Sequence, residues 1–364
     1  MNSQTLIQAD GFGAVGSLIR AEIFQQPDLW PDTLGRVAEI LDRCDLFPCD
    51  SGAVITGAGS SAYAARAIEA AWPGARAVPS TDLLINAYPY FGPDSILVSL
   101  ARSGESPESA AVVRNIQRLF PRVRHLAITC NAQGQLARLP GATAIVLNPR
   151  TNDRSLAMTS SFSNLVLAGI CLKHAREIAE ILPRLCARLR QNLPVLDSKA
   201  QAIATDPVNR VVVLASAPLM GWAQEASLKI LEMGAGRIPV MAETYLGLRH
   251  GPMTFLRPDT LVVSLLSSDP VCRLYEEDLL AELGAKKLGR IVAITSDDTG
   301  STAFGEAVPA MAPEVPDNLR TPFEIVFPQL LAYHLSLRAD LNPDDPSPNG
   351  VIHRVVQGVR IYEG

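Results

Sequence analysis

The chain has 364 residues, too many for one ordinary core and suited to two α/β units of roughly 150 residues each. Apolar residues make up 48% and charged residues 19%, which excludes a disordered segment, and no apolar run reaches the length of a membrane span. The net charge of −5 excludes a basic nucleic-acid footprint, so an anionic ligand has to be held locally by amides and hydroxyls.

The first residues, MNSQTLIQADGFG, lack a basic segment followed by an apolar core, so no secretory leader is expected. Residues 14–43 read as helices broken around Pro27 and Pro31. A strand at 52–56 then runs into the loop GAGSS at 57–61 and a helix over 62–72. The unit repeats: a strand at 94–99, the loop ARSGESP at 101–107 and a helix over 108–119. Further strands are expected at 125–130 and 143–146, then a long apolar helix and its neighbour over 155–192. A second round starts near 195, with strands at 209–216, 260–266 and 290–295 and helices at 222–233 and 270–283. Apolar strand-length runs alternating with helices imply parallel sheets buried on both faces. The expected architecture is a duplicated, doubly wound (flavodoxin-like) α/β fold. The segments are an N-terminal helical part (1–45), two sheet domains (46–194 and 195–342) and an irregular tail (343–364).

The six cysteines are Cys44, Cys49, Cys130, Cys171, Cys186 and Cys272. None forms a CxxC pair, and the single C-x4-C spacing has no second pair or nearby histidine. Free thiols in a cytoplasmic protein, with no metal and no cofactor, are expected.

Two consecutive serine-rich loops carry the first chemical signal: Ser60 and Ser61, then Ser103, Ser106 and Ser109. In open α/β sheets, ligands sit where strand ends meet helix N-termini, and small hydroxyls with amides suit a phosphate there. Ser60, Ser61 and Ser106 also suit plain helix N-caps, so each serine alone leaves both readings open. The stretch GAGSSA at 57–62 formally satisfies a dinucleotide fingerprint. The acidic residue such a site needs is missing, since Glu69 falls in a helix and Asp82 follows Pro79.

Glu225, Lys229 and Glu232 recur at i, i+4 and i+7 and share one helix face. Such a trio is often a solvated ion pair, but its apolar neighbours Ala226, Leu228, Ile230, Leu231 and Met233 favour a carboxylate tuned as a general base. His250 precedes Gly251-Pro252 on a constrained turn, unlike His125, His174 and His334, which fall in a strand or in helices.

These loops, with EASLK at 225–229, resemble the motifs of SIS-domain sugar isomerases. The segments IFQQPDLW (23–30), SLAMTSSF (155–162), ETYLGLRHGP (243–252) and 349–362 resemble the galactosamine-6-phosphate deaminase/isomerase family, whose members are often labelled tagatose-6-phosphate ketose/aldose isomerases. The resemblance implies phosphate-binding hydroxyls at Ser61, Ser103 and Ser106 beside Ser60, and a sugar-contacting loop near Thr159 and Ser160. It implies a C1–C2 proton-transfer base at Glu232 and a ring-opening histidine at His250 that comes from a neighbouring subunit. A homodimer with shared sites follows, acting on a sugar phosphate and not on nucleic acid or membrane. Isomerase and hydrolase labels are both expected.

Three departures stand out. The relatives' Ser-Gln-Ser loop is Ala101-Arg102-Ser103 here, so Arg102 is expected to take phosphate charge. The C-terminal lysine of the related glutamine–fructose-6-phosphate aminotransferase has no counterpart, leaving His353 or Arg354 nearby. The loop at 216–218 lacks the usual glycine. Glu225, Lys229 and Glu243 complete the candidate set. Two other readings use the same anchor: a deglycase for a phosphorylated sugar–amino acid adduct, and a non-catalytic sugar-phosphate sensor. With no N-terminal glutaminase, glutamine-dependent amination is not expected.

Overall fold

The computed structural model describes residues 15–43, 52–92, 94–296, 301–347, 349–356 and 358–362. The leader reading and the Cys44–Cys49 spacing lie outside these residues.

Strands β1 (Ala53–Thr56), β2 (Arg76–Ala77), β3 (Ile96–Ala101), β4 (Arg124–Thr129) and β5 (Ala142–Val146) form a parallel sheet in the order β2-β1-β3-β4-β5. The second sheet contains β6 (Arg210–Leu214), β7 (Val240–Glu243), β8 (Thr260–Leu265), β9 (Arg290–Thr295), β10 (Ser301–Thr302) and β11 (Gly305–Pro309). Its order is β10-β11-β9-β8-β6-β7, with only the edge strand β10 antiparallel. Without β10, both sheets have the doubly wound order 2-1-3-4-5, as the duplicated pattern predicts. The central strands β3 and β8 are buried throughout, which explains their unbroken apolar runs.

The helices are α1 (Ser17–Phe24), α2 (Gln26–Arg43), α3 (Ser60–Ala71), α4 (Ser80–Ile85), α5 (Pro107–Leu119), α6 (Ser160–Thr205), α7 (Met220–Met233), α8 (Tyr245–Leu248), α9 (Pro270–Ala285), α10 (Asp317–Glu324) and α11 (Val326–Arg338). Pro31 does not break α2. Pro27 sits in its first turn, and the helix continues through Pro31 because Leu29, Trp30, Thr33 and Val37 bury one face. The 46-residue α6 bends at His174 (φ −121°, ψ 26°) and then continues. A division after residue 194 falls inside it, because Leu185, Leu189, Leu193, Leu196 and Ala200 carry the apolar face across that point.

One apolar core joins both halves, from Ile19 and Trp30 through Ile68, Phe162 and Trp222 to Phe323. Trp30 meets Phe323 edge-on at 5.2 Å. Helices α3 and α7 cross at Gly221, where a Cβ would lie 2.6 Å from the backbone nitrogen of Ala67. That close approach sets the start of α3 against the end of α7, and the site is built there.

Candidate active site

A cleft of about 300 Å³ opens at the carboxyl ends of β1 and β3. Neighbouring strands β1 and β3 send their connections to opposite sides at this switch point. Gly59, Ser60 and Ser61 line it from the first loop, and Arg102, Ser103 and Ser106 from the second. Glu232 enters from the end of α7, and residues 352–356 of the tail cover the cleft, including His353 and Arg354. Gly57 has to be glycine, since a Cβ there would stand 2.5 Å from Ser61 Cβ. Gly59 and Gly104 adopt φ of 56° and 64°, which turns each loop into its helix.

The N-cap reading of the serines is not realised. Neither α3 nor α5 is capped by a side chain. Ser106 Oγ donates instead to Glu108 (2.9 Å), and Ser60 Oγ accepts from Lys229 Nζ (3.1 Å). Two helix N-termini therefore meet at the cleft, with dipoles that favour an anion.

Glu225, Lys229 and Glu232 share one face of α7 as their spacing predicts. Lys229 and Glu225 are fully buried, 3.4 Å apart, whereas Glu232 is partly exposed in the cleft and accepts from Lys229 Nζ. Burial pushes the Glu225 carboxyl up to about 8, against the pull of Lys229. Burial also acts to lower the Lys229 ammonium, but the two carboxylates outweigh it and hold the ammonium above its ordinary value. Lys229 thus ties the cleft carboxylate to the first serine loop.

Arg102 lines the cleft, but its guanidinium is committed to carbonyls. It donates to Ser155 O (3.1 Å), Leu156 O (3.0 Å) and Arg354 O (2.8 Å). Burial, then Arg354, pulls it down to about 10. Through these bonds Arg102 links the tail to the 153–159 segment. Thr159 and Ser160 are fully buried and do not line the cleft. Asp153 takes the amides of Thr159 and Ser161 (2.8 Å each) and the hydroxyls of Ser160 (2.6 Å) and Ser161 (2.5 Å), so it caps α6. From this segment, Leu156 and Met158 form the cleft wall.

His250 and Glu243 lie apart from the cleft. His250 is exposed at the end of its turn, and Glu243 accepts from the backbone of Thr244 (2.7 Å). Away from the cleft, His125 is buried against Ser99 and pulled down to about 4 by burial, His174 bonds Ala71 O (2.7 Å), and His334 bonds Asp197 (2.7 Å).

A D-galactosamine-6-phosphate deaminase AgaS of Shewanella sp. strain ANA-3 is 32% identical, matching 99% of this chain and 96% of that protein. The Escherichia coli protein of the same name is 32% identical over 96% of each. The chain belongs to the AgaS family of galactosamine-6-phosphate deaminases. A Streptomyces coelicolor protein that carries the AgaS name provisionally is 38% identical over 94% of each chain. Among solved structures, the tagatose-6-phosphate ketose/aldose isomerase of Escherichia coli superimposes with a TM-score of 0.80 at 30% identity, covering 96% of this chain and 97% of that one. A scan against protein-family models finds no match.

The AgaS assignment bears out the SIS-type double sheet and the phosphosugar enzyme class. It corrects the hydrolase label: these names denote removal of an amino group and ketose/aldose interconversion, and none denotes a hydrolase. Among the described residues, no helix is long and apolar enough to cross a membrane.

Sequence reasoning missed Glu22 and Asp153. Glu22 reaches from α1 to accept from Arg154 N (2.5 Å), Ser155 N (3.3 Å) and Ser155 Oγ. Burial, then the nearby Asp153 charge, pushes its carboxyl up to about 7. The 131-residue gap between Glu22 and Asp153 left no spacing signal. The only available clue was an acidic residue within an otherwise apolar helix face.

Proposed function

We propose that this chain converts D-galactosamine-6-phosphate and water into tagatose-6-phosphate and ammonia. The single observation that supports this reading is the cleft that brings the two serine loops together with Glu232. The loops and the α3 and α5 N-termini take the phosphate, which leaves C1 and C2 of the open-chain sugar at the α7 end of the cleft. Glu232 removes the C2 proton and returns it at C1, passing through an enolamine. The resulting C2 imine takes up water and loses ammonia. Lys229 orients Glu232, and Arg102 and Arg354 fix the cleft wall and tail with His353 at the rim. Buried Thr159 and Ser160 shape that wall from behind.

His250 of this chain is outside its own cleft, so ring opening in this reading uses the partner subunit's His250 in a homodimer with shared sites. In this reading the enzyme works in the cytoplasm.

The test follows ammonia release and ketose formation in parallel on galactosamine-6-phosphate and glucosamine-6-phosphate. Ammonia from the galacto sugar is expected, and Glu232→Gln lowers turnover by about 100-fold or more with substrate binding retained. Full activity of Glu232→Gln, or ammonia from the gluco sugar alone, overturns the assignment.

A further inference from the structure

The duplication places a second set of strand ends, helix N-termini and serines where the first half holds its ligand cleft. By sheet order, β6 and β8 correspond to β1 and β3, and α7 and α9 to α3 and α5. Helices α5 and α9 both begin at a proline, Pro107 and Pro270. A second cleft lies at this equivalent position, lined by Pro218, Ser267, Ser268, Asp269 and Asp317.

The donors of the second cleft are already taken. The Asp317 carboxylate accepts from Ser268 N (2.8 Å), Ser268 Oγ (2.9 Å) and Ser267 Oγ. It also takes Nη1 of Arg320 at 3.0 Å. Glu276 takes Ser267 N (2.7 Å) and Ser216 Oγ, and Asp269 caps α9 through Val271 N (2.9 Å) and Cys272 N (2.8 Å). Arg320 is 1% exposed and its Nε makes no hydrogen bond. A buried guanidinium, two serine hydroxyls and a loop amide around one carboxylate are the donor set of an oxyanion. In the first cleft no carboxylate is seated on the Ser61 or Ser103 hydroxyls among the described contacts, whereas Ser60 faces Lys229 and the buried Glu225, and Ser106 turns to Glu108.

We infer that the second half retains the oxyanion cradle of the first and fills it with its own carboxylate, Asp317, so that a free phosphate finds no place there. The cradle is an intramolecular plug. With the carboxylate removed, Ser267 and Ser268 face the cleft with unfilled donors, and Nη1 of the buried Arg320 loses one of its two acceptors. Arg320 stays in place through Leu266 O (3.0 Å) and Glu324 (3.2 Å). Four other carboxylates bear on this cradle: Glu314, paired with Arg184 and Arg188, and Asp269 at the α9 cap line the cleft, while Glu276 holds Ser267 N and Glu324 holds Arg320. They keep the uncovered site weak.

The test is calorimetric titration of the full-length protein with inorganic phosphate at millimolar concentration. Asp317→Ser is expected to bind one more phosphate per chain than the wild type, and adding Ser267→Ala and Ser268→Ala removes the increment. Asp317→Asn removes the charge but keeps an acceptor for Arg320, and it decides the matter if the serine variant does not fold. It is expected to show the same increment at lower affinity. No increment in a folded Asp317 variant, or a wild-type site that is lost with Ser267→Ala and Ser268→Ala, overturns the inference. The readout is the increment, so a wild type that binds no phosphate counts against the first cleft and leaves this proposal standing.

Discussion

Replacing Lys229 with methionine isolates the electrostatics of α7. Lys229 and Glu225 are fully buried 3.4 Å apart, while the Glu232 side chain is 29% exposed. Glu225 sits at about 8 in the folded chain, with burial raising it and Lys229 holding it down. A carboxyl raised above its unfolded value contributes stability that is lost as pH rises from the unfolded value to the folded one. In the wild type this loss ends near pH 8. In Lys229→Met the folded value rises further, so the loss continues above pH 8, adding about 1.4 kcal/mol per pH unit. The ceiling is the ~3–5 kcal/mol typical of a buried pair stripped of one member. Below pH 8 Glu225 is protonated in both proteins. There the variant loses only the Ser60 bond, about 1 kcal/mol, and an exposure-screened pair with Glu232 of about 1 kcal/mol or less. Urea unfolding of both proteins from about pH 6 to pH 9.5 measures the difference. A penalty that stays constant across that range, or one already at its ceiling at the acid end, refutes the argument.

Glu22→Gln turns an acceptor of two amides and a hydroxyl into a side chain that also donates, so the 153–159 wall loosens and KM is expected to rise several-fold, with kcat less affected. Its folded value near 7 further predicts that wild-type stability relative to this variant falls between about pH 4.5 and pH 7 by up to about 3 kcal/mol, readable in urea midpoints. Gly221→Ala forces a Cβ to 2.6 Å from Ala67 N and is expected to cost ~1–3 kcal/mol in calorimetry, with activity falling as α3 shifts from α7. Arg354→Ala removes bonds to Asp153 O (2.7 Å) and Asn152 Oδ1 (2.5 Å). It is expected to raise KM about tenfold while stability changes by only about 1 kcal/mol.

What could be read in the sequence follows what is local. The strand–loop–helix units, the two serine loops and the i, i+4, i+7 trio depend on neighbouring residues, and the structure places them within a residue or two of expectation. Arg102 was legible as a cleft cation, but its bonds to Ser155, Leu156 and Arg354 were not, because those residues lie far along the chain. Thr159 and Ser160 sit in the expected segment, but their burial behind Leu156 and Met158 depends on Asp153 and the start of α6. Helix α6 keeps its apolar stripe past residue 194, where the division between the halves is expected. Nothing in the local pattern distinguishes a linker from a shared helix.

The shared core also bears on biosynthesis. Gln26 Nε2 donates to Gln329 Oε1 at 2.8 Å across 303 residues of chain, and Trp30 meets Phe323 beside it. Helix α6 packs along α2, but at ribosomal rates of about 5–20 residues per second Gln26 and Trp30 wait roughly 15–60 s for their partners on α11 and α10. The first sheet can pair its strands on the ribosome, but its outer apolar layer stays open until α10 and α11 emerge. Two sheets of one strand order thus share a core that is completed only when the last helices are made.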